Sequence, residues 1–228
     1  MDKLLSIITV TYNTGSSIIP TIESVLPWLS DSVEYIIIDG ESIDNTIEII
    51  QKYPNIRLFS ASDQGIYDAM NKGIKVAKGK WIYFINNGDL LYNLPIDILR
   101  QAPQAVKLVS GSIRNEYGTK KAKWGIYFYL GNPIPHQGAF YRKDSFKLYD
   151  LSFNIFSDYH HNIQLWKDKA EIMIVNQIIA FHSEMGVSNN AQHIKEFYKV
   201  QIQELGYLAV CISWLNFKLN GVLKRIKL

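Results

Sequence analysis

An α/β fold with a mostly parallel central sheet flanked by helices is predicted by three features of the sequence. Apolar runs that fit buried strands alternate with amphipathic segments through the first 85 or so residues. A 47% hydrophobic and 20% charged content is typical of a globular chain with a substantial core. Polar clusters follow each of the first four predicted strands, at the sheet edge where such folds bind ligands. At 228 residues the chain suits one large domain, with or without an appended segment.

Four strands and three helices alternate in the first part of the chain. The strands are predicted over 4–11, 33–38, 56–60 and 81–85, because these runs are short and largely apolar, and the first is rich in β-branched residues. The first helix should begin at Ser16 or Ser17 and run to about residue 28, and the others should span about 42–52 and 65–78. Gly79 stands where a C-cap glycine is preferred. This alternation implies parallel pairing with right-handed crossovers.

The pattern is weaker beyond residue 100. It indicates strands over 106–112 and 138–141, a helix over 158–167, and two short strands over 172–175 and 178–181. We attribute the adjacent His160 and His161 to a solvated helix start. Residues 195–228 form a basic tail with apolar residues at helical spacing, in which six Lys/Arg accompany two acids. Such a tail fits either a helix on an anionic membrane surface or a helix that packs on the domain.

Composition excludes several classes of function. A formal charge of +3, without a basic stripe interleaved with aromatic residues, does not indicate a nucleic-acid partner. The single cysteine, Cys211, rules out an internal disulfide and a cysteine-rich zinc site, and fits a reducing compartment. We see no signal peptide and no run of the roughly 18 apolar residues that a transmembrane helix needs. A cytoplasmic protein is expected, peripheral at the inner face of the plasma membrane if the tail binds lipid.

The strand ends carry the candidate ligand-binding groups. Neither a GxxxxGK[ST] nor a GxGxxG phosphate cradle is present. A bound nucleoside diphosphate would therefore need a divalent cation held by a carboxylate, and Mn²⁺ or Mg²⁺ prefers oxygen ligands. Asp89 is the candidate ligand, because it ends the polar turn that follows the fourth strand. The same Asn-Gly turn could equally be a simple chain reversal.

The order of several motifs resembles the family 2 glycosyltransferases, which have the GT-A fold and use nucleotide sugars. The likeness runs through residues 4–92, in the segments SIITVTYN, IIDGESIDNT, SDQGIYDAMNKG and WIYFINNGD. It resumes more loosely at 135–142, 157–159 and 181–188. The resemblance is nearest to the bacterial branch that builds surface polysaccharides. It implies a glycosyltransferase domain over 1–194, with a nucleotide-binding half at 1–92 and an acceptor half at 93–194, followed by the tail at 195–228.

The resemblance also implies roles for individual residues. The residues expected to bind the nucleotide sugar are Thr11, Tyr12, Asn13, Asp39, Asp63, Gly65, Asp68, Asn71, Asn87 and Asp89. Asp39 would contact the base, most often uracil. The family's acidic motif is here Asn87-Gly88-Asp89, so Asn87 contributes hydrogen bonds and the metal depends on Asp89. His182 would contact the metal or the diphosphate.

Three further positions complete the predicted site. His136 and Gln137 would face the acceptor or the donor sugar. Asp158 matches the family's catalytic base, which removes the proton from the attacking acceptor hydroxyl. By position alone Asp158 could instead be a helix N-cap, since it opens a predicted helix.

The leading hypothesis is an inverting glycosyltransferase. It would move a sugar from a nucleoside-diphosphate donor, UDP in the favoured case, to a lipid-linked or growing polysaccharide. The alternatives are a nucleotidyltransferase on a similar scaffold and a catalytically silent nucleotide-sugar-binding subunit. The first would need basic residues near a triphosphate, but none lies between Lys3 and Lys52. Asn87 in place of an acid favours the second, and the presence of Asp89 and Asp158 argues against it.

Overall fold

The computed structural model describes residues 3–183 and 193–226, with side chains through residue 219. The strands are β1 (Leu5–Thr11), β2 (Val33–Asp39), β3 (Ile56–Ser60), β4 (Trp81–Phe84), β5 (Leu90–Leu91), β6 (Val106–Asn115), β7 (Gly118–Lys120), β8 (Ala139–Arg142) and β9 (Glu171–Phe181). The helices are α1 (Ile19–Val25), α2 (Thr46–Ile50), α3 (Ile66–Val76), α4 (Ile96–Gln101), α5 (Ser157–Lys167), α6 (Ile194–Leu205) and α7 (Tyr207–Ile226). Short 3₁₀ helices lie at Gly15–Ile18, Leu26–Trp28, Gly125–Tyr129, His136–Gly138 and Lys143–Ser145.

All nine strands join one sheet in the order β3-β2-β1-β4-β8-β6-β9-β5, with β7 paired to β6. The first four strands pair in parallel, as their alternation with helices predicts. β8 is inserted antiparallel between β4 and β6, and β6 then pairs in parallel with β9. The predicted α/β fold is confirmed. Its sheet is mixed, because the second half of the chain adds antiparallel strands.

Helices cover both faces of the parallel half of the sheet. Successive side chains of a strand point to opposite faces. Ile7 therefore packs with Ile22 of α1 in one core cluster, whereas Ile8 packs with Met70 of α3 in the other. Every residue of β2 is buried, as expected for a strand that is covered on both sides. This packing fixes the carboxyl ends of β1, β2 and β4 side by side.

Two local predictions are wrong. Helix α3 ends at Val76 with Ala77 as its C-cap, so Gly79 is not the cap. Gly79 instead permits a close approach of two backbone segments, because a Cβ there would lie 2.4 Å from the Ser6 nitrogen. The two short strands expected between 172 and 181 are one strand, β9, whose pairing with β6 shifts register three times. A register shift interrupts the alternation of side chains along a strand, and this interruption is why the sequence pattern predicts two strands.

The first helix is also more irregular than predicted. The segment expected to form one helix to residue 28 begins and ends as 3₁₀ helix around a short α1. Neither Ser16 nor Ser17 caps it, although the Ser17 hydroxyl donates to the Thr14 carbonyl at 2.7 Å. Pro20 and Pro27 stand at the starts of α1 and of the second 3₁₀ segment.

The C-terminal helices begin by packing on the domain. Phe197 and Val200 of α6 are buried in the same core cluster as Tyr159 of α5. His160 is buried against Glu204 of α6, and His161 is buried among the rings of Tyr141, Phe146 and Tyr149, so the solvated helix start that we expected is wrong. Within the described ranges, no helix combines the length and apolar character needed to cross a bilayer.

Candidate active site

Polar side chains from both halves of the chain meet at the carboxyl ends of β1, β2 and β4. The parallel half contributes the loops after these strands. The second half contributes the 3₁₀ helix His136–Gly138, the start of α5 and the end of β9. These pieces adjoin because β8 pairs with β4, which brings residues 136–138 alongside the end of β4.

The loops after β1, β2 and β3 meet around Gly40, and we call Tyr12, Gly40 and Asp63 together the Gly40 pocket. A Cβ at Gly40 would lie 2.6 Å from Asp63 Oδ2 and 3.4 Å from the Tyr12 ring. Because Gly40 has no side chain, the exposed Tyr12 ring and the Asp63 carboxylate can both lie against its backbone. Such a pair can stack on a planar base and accept its N–H groups. Tyr12 and Asp63 are thus brought together as predicted, and Gly40 is an addition that the Asp-Gly dipeptide signals.

The other predicted residues of these loops brace the pocket through bonds inside the protein. Asp39 is fully buried and accepts hydrogen bonds from the Ser42 backbone N–H at 2.9 Å and from the Ser60 hydroxyl at 2.8 Å. Asn13, with a φ of 50°, accepts from the Ile43 N–H, and its own N–H donates to Ser42. These bonds hold the loop after β1 against the loop after β2.

Thr11 and Gly65 shape the backbone at two strand ends. The Thr11 hydroxyl is 2.7 Å from that of Thr14 in the turn after β1. Gly65 has a φ of 112° and donates its N–H to Asp63 Oδ1 at 2.9 Å. A positive φ of this kind favours glycine, so Gly65 sets the turn that presents Asp63.

Asp68 and Asn71 of α3 are engaged by the protein itself. Asp68 accepts the Gln64 N–H in the first turn of α3 and forms an ion pair with Lys72 at 3.1 Å. Asn71 is buried. Its amide N–H donates to the Tyr149 carbonyl at 2.9 Å, and its amide oxygen accepts the Tyr149 backbone N–H at 2.8 Å. Asn71 therefore fastens the two halves of the chain together.

Asp89 lies at the centre of a hydrogen-bonded group. Its side chain is almost fully buried, and Oδ2 accepts from the Gln137 amide at 2.9 Å. Oδ1 is 2.8 Å from His182 Nδ1 and accepts the Ser183 N–H at 3.1 Å. The structure thus brings Asp89, Gln137 and His182 together, as the sequence predicts for residues of one site.

The carboxylate of Asp89 determines which nitrogen of His182 carries the proton. A carboxylate only accepts, so the 2.8 Å contact places a hydrogen on Nδ1, to which Gln137 Nε2 is also close at 3.0 Å, and in the neutral ring the lone pair is then on Nε2. An imidazole held in this way by a carboxylate is a common arrangement in metal sites. Asn87 Oδ1 is buried without a hydrogen-bond partner, and the Asn87 amide donates to Ser17 at 3.2 Å.

These donors fit a cation that takes its remaining ligands from a diphosphate and water. His182 offers its Nε2 nitrogen and Asn87 an unpartnered oxygen. Asp89 is bonded to Nδ1, on the other side of the same ring, so in this arrangement it supports the site by its charge and by holding His182, and is not a ligand of the same cation as predicted. Among the described residues, no three His, Cys, Asp or Glu side chains are grouped for a self-sufficient metal site. A site of this composition is not expected to bind metal tightly without a donor.

Asp158 is held by two neutral donors. The Tyr67 hydroxyl of α3 lies 3.0 Å from Oδ1 and 2.6 Å from the Ile155 carbonyl, so its one proton is shared between these two acceptors, and the Asn132 amide donates to Oδ2 at 2.9 Å. The N-cap of α5 is Phe156, so Asp158 lies inside the helix and does not cap it. Burial, followed by the negative charge of Asp158, raises the pKa of Tyr67 well above its usual value. Tyr67 therefore stays a neutral donor to Asp158.

His136 lies beside Asp158 and is under the electrostatic influence of Asp89. Its ring stacks on Phe84, its Nδ1 is 3.9 Å from Asp158 Oδ2, and both ring nitrogens are buried without a hydrogen-bond partner. Burial lowers the pKa of His136 from 6.5, although the charges of Asp158 and Asp89 oppose that shift. A neutral imidazole with unpartnered nitrogens, close to one acid and influenced by a second, is suited to contact a polar ligand.

Several residues of the site were missed by the sequence analysis. Tyr67 and Asn132 orient Asp158, and the Thr21 hydroxyl bridges the turn at Gly88-Asp89 by donating to the Asp89 carbonyl at 2.9 Å. Lys120 is mostly exposed, yet desolvation of its ammonium group lowers its pKa while the charge of Asp158 opposes the shift. Tyr67 stands in the quoted motif SDQGIYDAMNKG, whereas nothing in the sequence pattern marks the other three.

Comparison with known proteins agrees with the resemblance. The family description "Glycosyl transferase family 2" matches residues 6–157, which is more than half of the chain. A "PGL/p-HBAD biosynthesis glycosyltransferase" of Mycobacterium bovis is 30% identical over 214 residues, covering 81% of this chain and 82% of its own length. An Escherichia coli protein named "UDP-Glc:alpha-D-GlcNAc-diphosphoundecaprenol beta-1,3-glucosyltransferase WfaP" is 36% identical over 90 residues, covering 38% of this chain and 36% of its own.

Solved structures share the fold at low sequence identity. S. aureus TarS 1-349 in complex with UDP superposes with a TM-score of 0.67 at 14% identity, covering 92% of this chain and 69% of that one. A longer TarS structure is covered over 38% of its length. The mannosyltransferase PcManGT from Pyrobaculum calidifontis, in complex with GDP-Man and Mn²⁺, has a TM-score of 0.64 at 14% identity, with 90% and 62% covered. These likenesses confirm the predicted GT-A fold. The chain therefore belongs to glycosyltransferase family 2, and it is a glycosyltransferase.

Proposed function

We propose that the chain transfers a sugar from a nucleoside-diphosphate donor, UDP-linked in the favoured case, to a hydroxyl of a lipid-linked or growing polysaccharide, with inversion at the anomeric carbon. One observation carries the proposal: the neutral, unpartnered imidazole of His136 lies 3.9 Å from Asp158 and is under the electrostatic influence of Asp89 and His182. A sugar placed at His136 would then be near both a candidate base and a candidate diphosphate-binding group.

The nucleoside would lie at the Gly40 pocket. Tyr12 would stack on the base, and Asp63 would accept hydrogen bonds from the nucleoside. Thr11, Asn13 and Asp39 would keep the two loops in place. UDP is favoured because a structural neighbour was solved with UDP and because the WfaP relative is named for UDP-Glc. A neighbour solved with GDP-Man makes GDP the alternative nucleotide to test.

Asp158 would act as the general base. Two hydrogen bonds from Tyr67 and Asn132 fix the orientation of its carboxylate. A carboxylate held in this way can accept the proton of an acceptor hydroxyl as that oxygen attacks the anomeric carbon. Attack from the Asp158 side, with departure of the diphosphate on the Asp89 side, inverts the configuration. The neutral imidazole of His136 would hydrogen-bond a hydroxyl of the bound sugar, and Gln137 would keep Asp89 in position.

His182, held by Asp89, would bind a Mn²⁺ or Mg²⁺ ion together with the donor. Such a cation, when bound, neutralises the charge that develops on the departing diphosphate. Within the chain, Asp89 places the proton of His182 on Nδ1, and Asn87 has an amide oxygen without a hydrogen-bond partner. Gly65, Asp68 and Asn71 would contribute by shaping the pocket walls.

The acceptor is proposed to be a lipid-linked glycan. The WfaP relative is named for a diphosphoundecaprenol-linked acceptor, which favours a lipid-linked glycan here. We therefore place the chain at the cytoplasmic face of the bacterial plasma membrane, with residues 1–194 as the transferase domain and the tail toward the lipid. A catalytically silent subunit is the second candidate, because Asn87 replaces an acid of the family motif.

A thermal-shift screen of nucleotide sugars, with and without Mn²⁺, tests the proposal. UDP-sugars should raise the melting temperature, and Mn²⁺ should enlarge that increase, because ligands that bind only the folded state stabilise it. GDP-sugars and the free sugars are the comparison. No stabilisation by any nucleotide sugar with Mn²⁺ would contradict the donor assignment, and stabilisation without release of UDP in any acceptor mixture would favour the silent subunit.

A further inference from the structure

Helix α7 exposes an apolar face that its packing leaves uncovered. Its inner side is held by Ala209 and by Ser213, whose hydroxyl donates to Gln201 of α6 at 2.7 Å. On the outer side Leu208, Leu215 and Leu219 are 67%, 53% and 64% exposed. Residues at these helical spacings share one face. Exposed leucines are ordinary when scattered, but an aligned set marks a surface that contacts another apolar phase.

A second exposed apolar segment adjoins this helix. Helix α7 packs against the 3₁₀ helix Gly125–Tyr129, in which Ile126 is 74% exposed and Tyr127 is also exposed. We call Leu208, Leu215, Leu219, Ile126 and Tyr127 together the docking face.

The docking face is bordered by basic residues. The Lys123 ammonium lies 4.7 Å from the centre of the Tyr127 ring, and the Lys218 ammonium lies 5.2 Å from that of Trp214. The sequence contains no acid after Glu204, which is itself engaged by His160 and Lys167. Aromatic rings beside lysines, next to an apolar face, are the composition of helices that lie in the interface of an anionic bilayer.

We propose that the docking face lies on an anionic phospholipid bilayer and turns the acceptor side of the site toward it. The orientation follows from the chain path: Asn132, which donates to Asp158, is three residues beyond the 3₁₀ helix that carries Ile126. A bilayer under this helix would bring the headgroup layer near Asp158. This inference rests on the proposed function only for the acceptor, because binding to lipid requires no donor.

Vesicle co-sedimentation of the full chain tests the inference. Wild type should bind vesicles of phosphatidylcholine with phosphatidylglycerol and bind pure phosphatidylcholine vesicles more weakly. Replacing Leu208, Leu215 and Leu219 together by Gln should reduce binding by about tenfold or more, because the apolar area that the leucines bury in the bilayer interface is lost. Ile126→Gln should weaken binding as well. Ile174→Gln, at a 50% exposed position on β9 outside the docking face, is the matched control and should bind as wild type does.

Circular dichroism melts establish that each variant is folded, and the single variant Leu215→Gln serves if the triple variant does not fold. Equal vesicle binding by wild type and a folded Leu215→Gln variant would overturn the inference. So would light scattering that shows a wild-type dimer which this variant dissociates, because the face would then bind a second copy. Failure of the proposed function is recognised separately, as absence of stabilisation by nucleotide sugars in a protein that still binds vesicles.

Discussion

Asp89→Asn is the substitution whose effect follows most directly from the site geometry. The change keeps the shape of the side chain and removes its charge. Asp89 accepts three hydrogen bonds, from Gln137, His182 and the Ser183 N–H, and it is almost fully buried. The neutral amide weakens these charge-assisted bonds, and we expect a loss of about 2 kcal/mol in the free energy of unfolding. For a chain of this size, that loss lowers the melting temperature by about 4–8 °C.

The same substitution should reduce Mn²⁺-dependent release of UDP from a UDP-sugar by about a hundredfold or more. The reason is that the negative charge which holds His182 and favours the cation is lost, and the cation would neutralise the diphosphate. Asp97→Asn is the matched control, because Asp97 is exposed and pairs only with Arg100 among the contacts described. That variant should retain wild-type stability and turnover. Wild-type turnover in Asp89→Asn would refute the reasoning, and a lowered melting temperature with unchanged turnover would leave Asp89 a structural role alone.

Two further predictions concern the scaffold. Burial lowers the pKa of His161 to about 3 from 6.5, so stability that is fully present above pH 6.5 is lost as the pH falls toward 3. Denaturant titrations across this window should show a loss of about 5 kcal/mol in the free energy of unfolding, and His161→Phe should diminish that loss. An equal dependence on pH in both proteins would contradict this. Gly79→Ala should lower the free energy of unfolding by about 1–3 kcal/mol, because the new Cβ would meet the backbone near Ser6; an unchanged denaturation midpoint would count against the close approach.

The parallel half of the fold could be predicted because its signals are local. The runs of β1, β2 and β4 are buried, and each of the four strands ends in a polar turn, so strands, crossovers and the ligand-binding edge all follow from short stretches of sequence. The pocket of Tyr12, Gly40 and Asp63 belongs to this half. These residues come from three loops that parallel neighbours place at one edge.

The second half depends on contacts that no local pattern records. β8 enters the sheet antiparallel beside β4 and so brings His136 near Asp158 and Asp89. Asn71 binds the backbone of Tyr149, 78 positions away, and so links the two halves of the chain. The motif implies a contact with the nucleotide sugar at this position. The burial of His160 and His161 results from tertiary packing, including helix α6, which the charge pattern of the tail did not indicate.

The central claim is that Asp158 removes the acceptor proton while the rest of the site binds the donor. The measurement that tests it most directly compares wild type and Asp158→Asn for two quantities, the Kd of UDP with Mn²⁺ by titration calorimetry and the rate of sugar transfer. We predict a Kd within about twofold of wild type and a transfer rate lower by about 10²–10⁴-fold. Equal transfer rates in the two proteins would contradict the claim.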